Sequence, residues 1–235
     1  MPIYSNDGNP FVAAQVPLGA RRILDIGCGC GDIGAFLKTL MPELWIEGIT
    51  SNPLEADKAA VELDRVHIFD IEKEPPADLN AGFDCLLFSH VLEHLREPAQ
   101  TVLRLLPFLV PGGTLVIAVP NILEWRTRLR LLSGDFTYAD YGILDRTHLK
   151  FFTFDSADQE LLSSDVRDSL VEIRKVGDGA VPLGPLRHLK VLDRFARAID
   201  RMGVAYRPNL FSQQVVIVAR KAPERHTLIN GDSPV

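Results

Sequence analysis

Apolar positions in this chain form short, nearly unbroken runs that alternate with segments of three- and four-residue apolar spacing. The first run, Ile23-Leu24-Asp25-Ile26, opens into Gly27-Cys28-Gly29-Cys30-Gly31-Asp32, after which Ile33, Phe36, Leu37 and Leu40 recur as one face of a helix. Leu44–Thr50 predicts a second strand and Pro53–Leu63 a helix that starts on proline, a residue suited to a first turn. Val66–Asp70 predicts a third strand. After a polar loop from Glu72 to Gly82, Phe83–Ser89 is almost wholly apolar, as in a strand buried on both faces. A helix is predicted from Pro98 to Leu109, ended by Pro111-Gly112-Gly113, and then a fifth strand from Thr114 to Val119. Farther on, the pattern predicts helices at Glu124–Leu132, Asp155–Leu162 and 186–202, and strands near Leu170–Val176 and Val215–Arg220. A short helix near Phe11–Val16 precedes everything.

Strands alternating with helices indicate βαβ units, hence a doubly wound α/β domain with a mostly parallel sheet. Ligands of such sheets bind outside the carboxyl ends of the strands. Asp25 and Gly27, Thr50, Asp70, and Ser89 with His90 all fall at those ends. Gly134–Thr153 breaks the alternation with a long loop rich in aromatics and acids, too apolar to be disordered and too long to be a plain connection.

Composition narrows the classes. The chain has 235 residues, 46% of them hydrophobic, enough for a substantial core, and a net charge of −6, which argues against a general nucleic-acid binder. Three cysteines (Cys28, Cys30, Cys85) make no disulfide framework and suit a reducing compartment. No apolar stretch is long enough to span a bilayer and the first residues hold no signal-peptide core, so a soluble, cytoplasmic protein is expected. The polar tail over 222–235 reads as disordered.

The glycine turn departs from Gly-x-Gly-x-x-Gly, because its third glycine arrives one residue early, and it lacks the Gly-Lys-Ser/Thr ending of a P-loop. Leu24-Asp25-Ile26-Gly27-Cys28-Gly29-Cys30-Gly31 resembles instead the class I S-adenosylmethionine-dependent methyltransferases. Phe83-Asp84, Val91-Leu92-Glu93-His94-Leu95, Leu109–Leu115 and Val119-Pro120-Asn121 follow in that family's order and extend the resemblance over about residues 20–125. Leu131–Tyr138 and Gly142–Thr153, which contains Leu144-Asp145-Arg146-Thr147-His148-Leu149-Lys150-Phe151-Phe152-Thr153, look like a subgroup associated with glycosyltransferases and small-molecule biosynthesis. The resemblance implies a Rossmann-like seven-stranded sheet in the order 3-2-1-4-5-7-6 with an antiparallel last strand. It implies one domain over 1–221, with helical lid insertions at about 122–153 and 180–210. The implied cofactor is S-adenosylmethionine: Asp25, Gly27, Cys28, Gly29 and Gly31 at its methionine moiety, Thr50 and Ser51 at the ribose, Asp70 and Ile71 at the adenine, and Ser89 and His90 on the pocket floor. The family usually ends its second strand in Asp or Glu; Thr50 stands there instead, as in the cyclopropane-fatty-acid synthases, and Glu47 is three residues too early to replace it.

Methyl transfer from such a donor is expected to go to oxygen of a small molecule or sugar. Nitrogen or carbon transfer, or a non-catalytic binder of the cofactor, are the rivals. A hydroxyl acceptor needs a base. His148 is the first candidate, the alternative being that it pins its loop through backbone or Asp145. His90 is a base, a cofactor contact or a local backbone partner. Glu93 and His94 read as holding the next loop. Tyr138, Asp140, Tyr141 and Asp145 are candidate acceptor contacts, with turn capping the alternative for the two acids, and Tyr4 is a further candidate for folding over the cofactor. Cys28 and Cys30 lack a complete ligand set, and no metal is expected. The 186–202 helix, with Leu189, Leu192, Phe195, Ile199 and Met202 on one face and the basic residues Arg187, Lys190, Arg194, Arg197 and Arg201, is an outer solvated face, a surface for a membrane or for an acidic substrate or partner, or part of the acceptor pocket. Expected partners are the acceptor alone, with no nucleic acid and no membrane segment, and a homodimer left open.

Overall fold

In the computed structural model, residues 8–183 and 193–223 are described. The strands are β1 (Arg22–Ile26), β2 (Trp45–Thr50), β3 (Arg65–Ile68), β4 (Phe83–Ser89), β5 (Leu109–Pro120), β6 (Leu170–Gly179) and β7 (Ser212–Lys221). They form a seven-stranded sheet in the order β3-β2-β1-β4-β5-β7-β6. β3, β2, β1, β4 and β5 run parallel, and β7 is antiparallel to both β5 and β6. The order and direction expected from the family resemblance are both found.

The sheet is buried on both faces because its central strands have no polar side. On one face Leu24, Ile26, Leu86, Phe88, Leu115, Ile117 and Val119 pack under α4 (Pro98–Leu105), α6 (Ala157–Leu161) and α7 (Ser164–Asp168). On the other, Ile23, Cys85, Leu87, Val116 and Ala118 pack under α1 (Pro10–Ala13), α2 (Asp32–Leu40) and α3 (Pro53–Glu62). Each fully buried Leu or Ile contributes about 1.5–3 kcal/mol to this core. α3 starts as the sequence predicts: Pro53 follows the cap Asn52, whose side chain accepts from Leu54 N.

Two boundaries differ from expectation. The helix predicted to reach Leu109 ends at Leu105, followed by a 3₁₀ turn at Leu106–Phe108. Pro107 disfavours helical backbone at the residue before it and has no N–H to carry the helix on. The glycine pair then sits inside β5, which bulges there: Phe83 pairs with Leu109 but Cys85 with Thr114. α7 was not predicted.

After β5 come α5 (Trp125–Leu132), capped by Glu124, and the long irregular stretch to Thr153. Between β6 and β7 lie α8 (Asp193–Tyr206) and α9 (Pro208–Phe211). The predicted apolar stripe of the 186–202 helix is not its buried face. Phe195 and Met202 are exposed, whereas Ala196 is buried and Asp200 Oδ1 accepts from Val181 N at 2.8 Å. Small residues win here: a Cβ on Gly203 would meet Val181 Cγ2 at 2.3 Å, so only the Ala196–Gly203 face lets the chain come this close. Residues 186–192, Tyr4 and the tail beyond Pro223 lie outside the described residues. Among the described residues, no helix is long and apolar enough to cross a membrane.

Candidate active site

The carboxyl ends of β1, β2, β3 and β4 open onto one cavity of about 450 Å³. Asp25, Gly27, Cys28 and Gly29 form one wall, Thr50 and Ser51 the next, Asp70 and Ile71 the third, and Ser89 and His90 the floor. Gly31, the remaining predicted cofactor contact, is not on the wall. It caps α2 at φ +87°, and a Cβ there would come within 3.2 Å of Ala59 Cα, so it is a packing residue between α2 and α3.

The glycine turn is shaped by close approach. Gly27 has φ +76°, and a Cβ on it would lie 2.5 Å from Val91 Cγ2. The amides of Gly27 and Cys28 both donate to Ile49 O at 2.9 Å, which ties the turn to β2. Asp25 is 2% exposed, and burial pushes its carboxyl up to about 7. A cationic ligand group at this wall would draw the proton off.

The ribose side answers the question raised by Thr50. Its Oγ1 donates to Glu55 Oε2 at 2.8 Å and accepts from Asn52 N at 3.1 Å. Glu55 is buried and lies on the cavity wall, as does Asn52. A buried carboxylate from the first turn of α3 thus stands beside the end of β2. Sequence reading missed it, although its position two residues after Pro53 puts it on the turn nearest the strand end. Glu47 points away, held by Arg22, Trp45 and His67. Phe69 adds an apolar wall beside Asp70.

His90 closes the floor with its backbone at φ +54°, an uncommon conformation for a side-chain-bearing residue and one that clusters at functional sites. Its Nε2 faces Gln214 Oε1 at 2.9 Å and its Nδ1 lies 3.3 Å from Glu93 Oε1. Gln214 also donates its amide to Asp178 at 3.3 Å, which fixes its oxygen toward His90. Burial pushes the His90 imidazole down, but Glu93 and Gln214 outweigh it and the net shift is upward. Nε2 therefore donates to the Gln214 oxygen.

The loop residues are placed differently from expectation. The His148 side chain is 6% exposed and off the cavity wall, with Nδ1 3.0 Å from Ile143 O and Nε2 3.9 Å from Glu93 Oε1. Burial pushes it down, only partly opposed by Glu93. It pins the loop through backbone, the alternative weighed for it, and is off the wall of the cavity. Asp145 is buried and accepts from Thr147 N (2.7 Å) and Thr147 Oγ1 (2.6 Å); burial raises its carboxyl but these donors bring it below the usual range. Asp140 pairs with Arg146, and Tyr138 and Tyr141 are exposed. None of these four lines the cavity. From the loop, Thr147 does, beside His94. Glu93 holds the loop, as expected, through its carbonyl, which receives Leu149 N (2.8 Å) and Lys150 N (3.0 Å).

A second cavity, about 870 Å³, opens on the β6 side between Phe11, Phe154, β6 and α8. It carries Lys175, Arg194, Arg197 and Arg201 against Asp178 and Asp200. Asp178 belongs to this cavity and His90 to the first, so the His90–Gln214–Asp178 bridge stands between them.

Residues 10–163 match the family described as "Methyltransferase domain". The chain belongs to that family. It is similar to the trans-aconitate 2-methyltransferase of Methylobacterium radiotolerans, at 27% identity over 89% of this chain and 90% of the relative. It is 34% identical to the protein of that name from Methylobacterium nodulans, over 54% of this chain, and spans only 50% of that relative's length. Among solved structures, the plantazolicin methyltransferase BpumL in complex with a triazolic desmethylPZN analog and SAH shares the fold at TM-score 0.60 and 17% identity, over 93% of this chain and 86% of that one. The methyltransferase family's cofactor is S-adenosylmethionine, and the residues present fit it: a buried acid for a cation, a glycine turn with positive φ, a buried carboxylate beside the second strand end, and an acid with an apolar partner at the third.

Proposed function

We propose that this methyltransferase-domain protein transfers a methyl group to oxygen of a small acceptor that carries at least one acidic group, held in the basic second cavity. When bound, S-adenosylmethionine supplies a methyl on a sulfonium, which needs no further activation. In this reading Asp25, ionised, holds the cofactor's ammonium, Gly27 and Gly29 let its methionine moiety approach the backbone, Glu55 accepts from the ribose, and Asp70 accepts from the adenine amine beside Phe69.

The observation that carries the acceptor class is the bridge between the cavities. A cationic chamber adjoins the cofactor cavity through His90, Gln214 and Asp178. His90, with Nε2 committed to Gln214 and Nδ1 beside Glu93, is not placed to deprotonate a hydroxyl. A carboxylate oxygen is already a nucleophile, so positioning and water exclusion are what the protein adds. The name of the Methylobacterium relatives, trans-aconitate 2-methyltransferase, gives them a carboxylate-bearing acceptor, which supports the same class. The loop resemblance from Leu144 to Thr153 supports a sugar or other biosynthetic acceptor instead. In this reading α5 with its loop, and α8 with α9, form the lid over the acceptor within one domain.

Turnover of labelled cofactor against di- and tricarboxylates, sugar acids, neutral sugars and phenols tests the proposal. Transfer confined to acids, with KM raised at least about tenfold in Arg197→Ala/Arg201→Ala and kcat little changed, supports it. Transfer to neutral sugars alone overturns the acceptor class, and tight cofactor binding without transfer to any acceptor favours the non-catalytic reading.

A further inference from the structure

Glu93 sits on the 3₁₀ turn Leu92–His94 that follows β4, with its carboxylate 1% exposed. Neither oxygen makes a hydrogen bond of normal geometry among the described residues. A buried carboxylate left in this state costs several kcal/mol unless a cation or strong donors compensate it. What surrounds it is a set of imidazoles: His90 Nδ1 at 3.3 Å, His148 Nε2 at 3.9 Å, and His94, whose ring meets that of His148 edge-on at 4.7 Å. One ligand atom each from Glu93, His94 and His148 lies within 4.8 Å of the other two.

The tautomers are set by the outer partners. His148 Nδ1 has a carbonyl, Ile143 O, at 3.0 Å; a carbonyl only accepts, so Nδ1 carries the proton and Nε2 turns a lone pair toward Glu93. His94 Nδ1 lies 2.9 Å from Thr147 Oγ1, whose own proton goes to Asp145 at 2.6 Å, and 3.3 Å from Thr147 O, so Nδ1 carries the proton and Nε2 the lone pair. Lone pairs on His148 and Glu93 therefore face each other 3.9 Å apart, both side chains buried. The arrangement is built from two directions: Glu93 O receives the amides of Leu149 and Lys150, which seats His148 from a loop more than fifty residues away directly over the turn.

We infer that Glu93, His94 and His148 form a binding site for one divalent transition-metal ion of the zinc class, beside the cofactor cavity. Two imidazoles and one carboxylate are a borderline N/O set, which suits Zn²⁺ or Co²⁺ better than Mg²⁺. Ligand atoms around a tetrahedral ion at about 2.0–2.1 Å stand about 3.3 Å apart, so the three side chains close by up to about 1.5 Å on loading. Ile143 O and the Thr147–Asp145 pair orient the two rings through their far nitrogens, the usual arrangement behind metal-bound histidine. Three protein ligands leave a position open, and His94 and Thr147 are on the cavity wall, so an acceptor oxygen can reach the ion. The sequence predicts no metal because its cysteines form no complete ligand set; His148 joins Glu93 and His94 only through the fold.

The test is a Co²⁺ titration of the full chain after chelator treatment, read by the visible ligand-field absorption of the ion and by metal content after desalting, with Zn²⁺ as competitor. The expected result is about one Co²⁺ per chain, displaced by Zn²⁺, with affinity at least about 100-fold weaker in Glu93→Gln and in His148→Asn. Cofactor binding by calorimetry, unchanged in His148→Asn, shows that the variant is folded. No ligand-field band and no retained metal in the wild-type chain overturns the inference, and so does undiminished binding in folded variants. Neither readout needs an acceptor, so failure here leaves the proposed methyl transfer standing, and the reverse.

Discussion

In the proposed reading, Asp25 couples cofactor binding to a proton. Its carboxyl is pushed up to about 7 by burial, against an ordinary value of 3.8, so below neutrality the ligand-free protein holds it protonated. If the cofactor's ammonium requires the ionised form, apparent affinity weakens about 25-fold between pH 7.5 and pH 5.5, and binding near pH 6 releases about 0.9 proton. The same shift acts on stability with a definite sign. Between pH 3.8 and about 7 the folded chain keeps a proton that the unfolded chain has released, so ligand-free stability falls as pH rises through that window, by up to about 4 kcal/mol, and is flat above it. Asp25→Asn removes that loss. The variant should be more stable than wild type at pH 7.5 without ligand, yet bind cofactor about 10- to 150-fold more weakly through loss of a charge-assisted bond. Calorimetry with S-adenosylhomocysteine in two buffers of different ionisation enthalpy counts the protons, and urea melts give the stability. Affinity that is flat with pH, together with no proton release, would show that Asp25 does not meet the ammonium as an ion.

Three further outcomes follow from named contacts. Gly27→Ala should cost about 2–5 kcal/mol, from φ +76° and a Cβ 2.5 Å from Val91 Cγ2, and abolish cofactor binding; a thermal melt showing a loss under about 1 kcal/mol contradicts the packing. Thr50→Asp, read from the sequence alone, should tighten cofactor binding, but beside Glu55 it sets two carboxylates together and should weaken binding about tenfold, as should Glu55→Gln; calorimetry showing Thr50→Asp tighter removes Glu55 from the ribose wall. Burial pushes Asp158 up, but Arg167 and Lys175 pull it below its ordinary value, so its stabilisation is present above pH 3.8 and lost as pH falls through the folded pKa. Asp158→Asn should therefore cost about 1–2 kcal/mol at pH 7 and little near pH 2.5 in urea denaturation, and an equal cost at both refutes the pairing.

The fold was legible because a doubly covered parallel sheet leaves no room for polar alternation, and Phe83–Ser89 announces this directly. Strand ends were legible for the same reason: where an apolar run stops at Asp25, Thr50, Asp70 or His90, the chain leaves the core at the ligand edge. What the sequence hid depends on distances between elements. Glu55 is five residues beyond its strand end and reaches the cavity only because Pro53 turns α3 back over β2. Gly31 reads as part of the cradle but is claimed by Ala59 across two helices. The loop's polar residues look like acceptor contacts until Asp145 and His148 are seen to be consumed in holding the loop itself. α8 misled because Phe195 and Met202 dominate a hydropathy pattern, whereas Ala196 and Gly203 decide how close a helix can come.

The antiparallel closure by β7 has a practical meaning for anyone trimming this protein. The matched family region stops at residue 163, before β6 and β7 begin. A fragment cut there would keep every recognisable motif and lose Gln214, whose side chain touches both His90 and Asp178. It would also strip β5 of its neighbour along Thr114–Pro120, baring an apolar strand edge that pairs readily with another chain. The recognisable part of the sequence and the smallest piece able to stay in solution are therefore different lengths, and the last ordered strand sets the second.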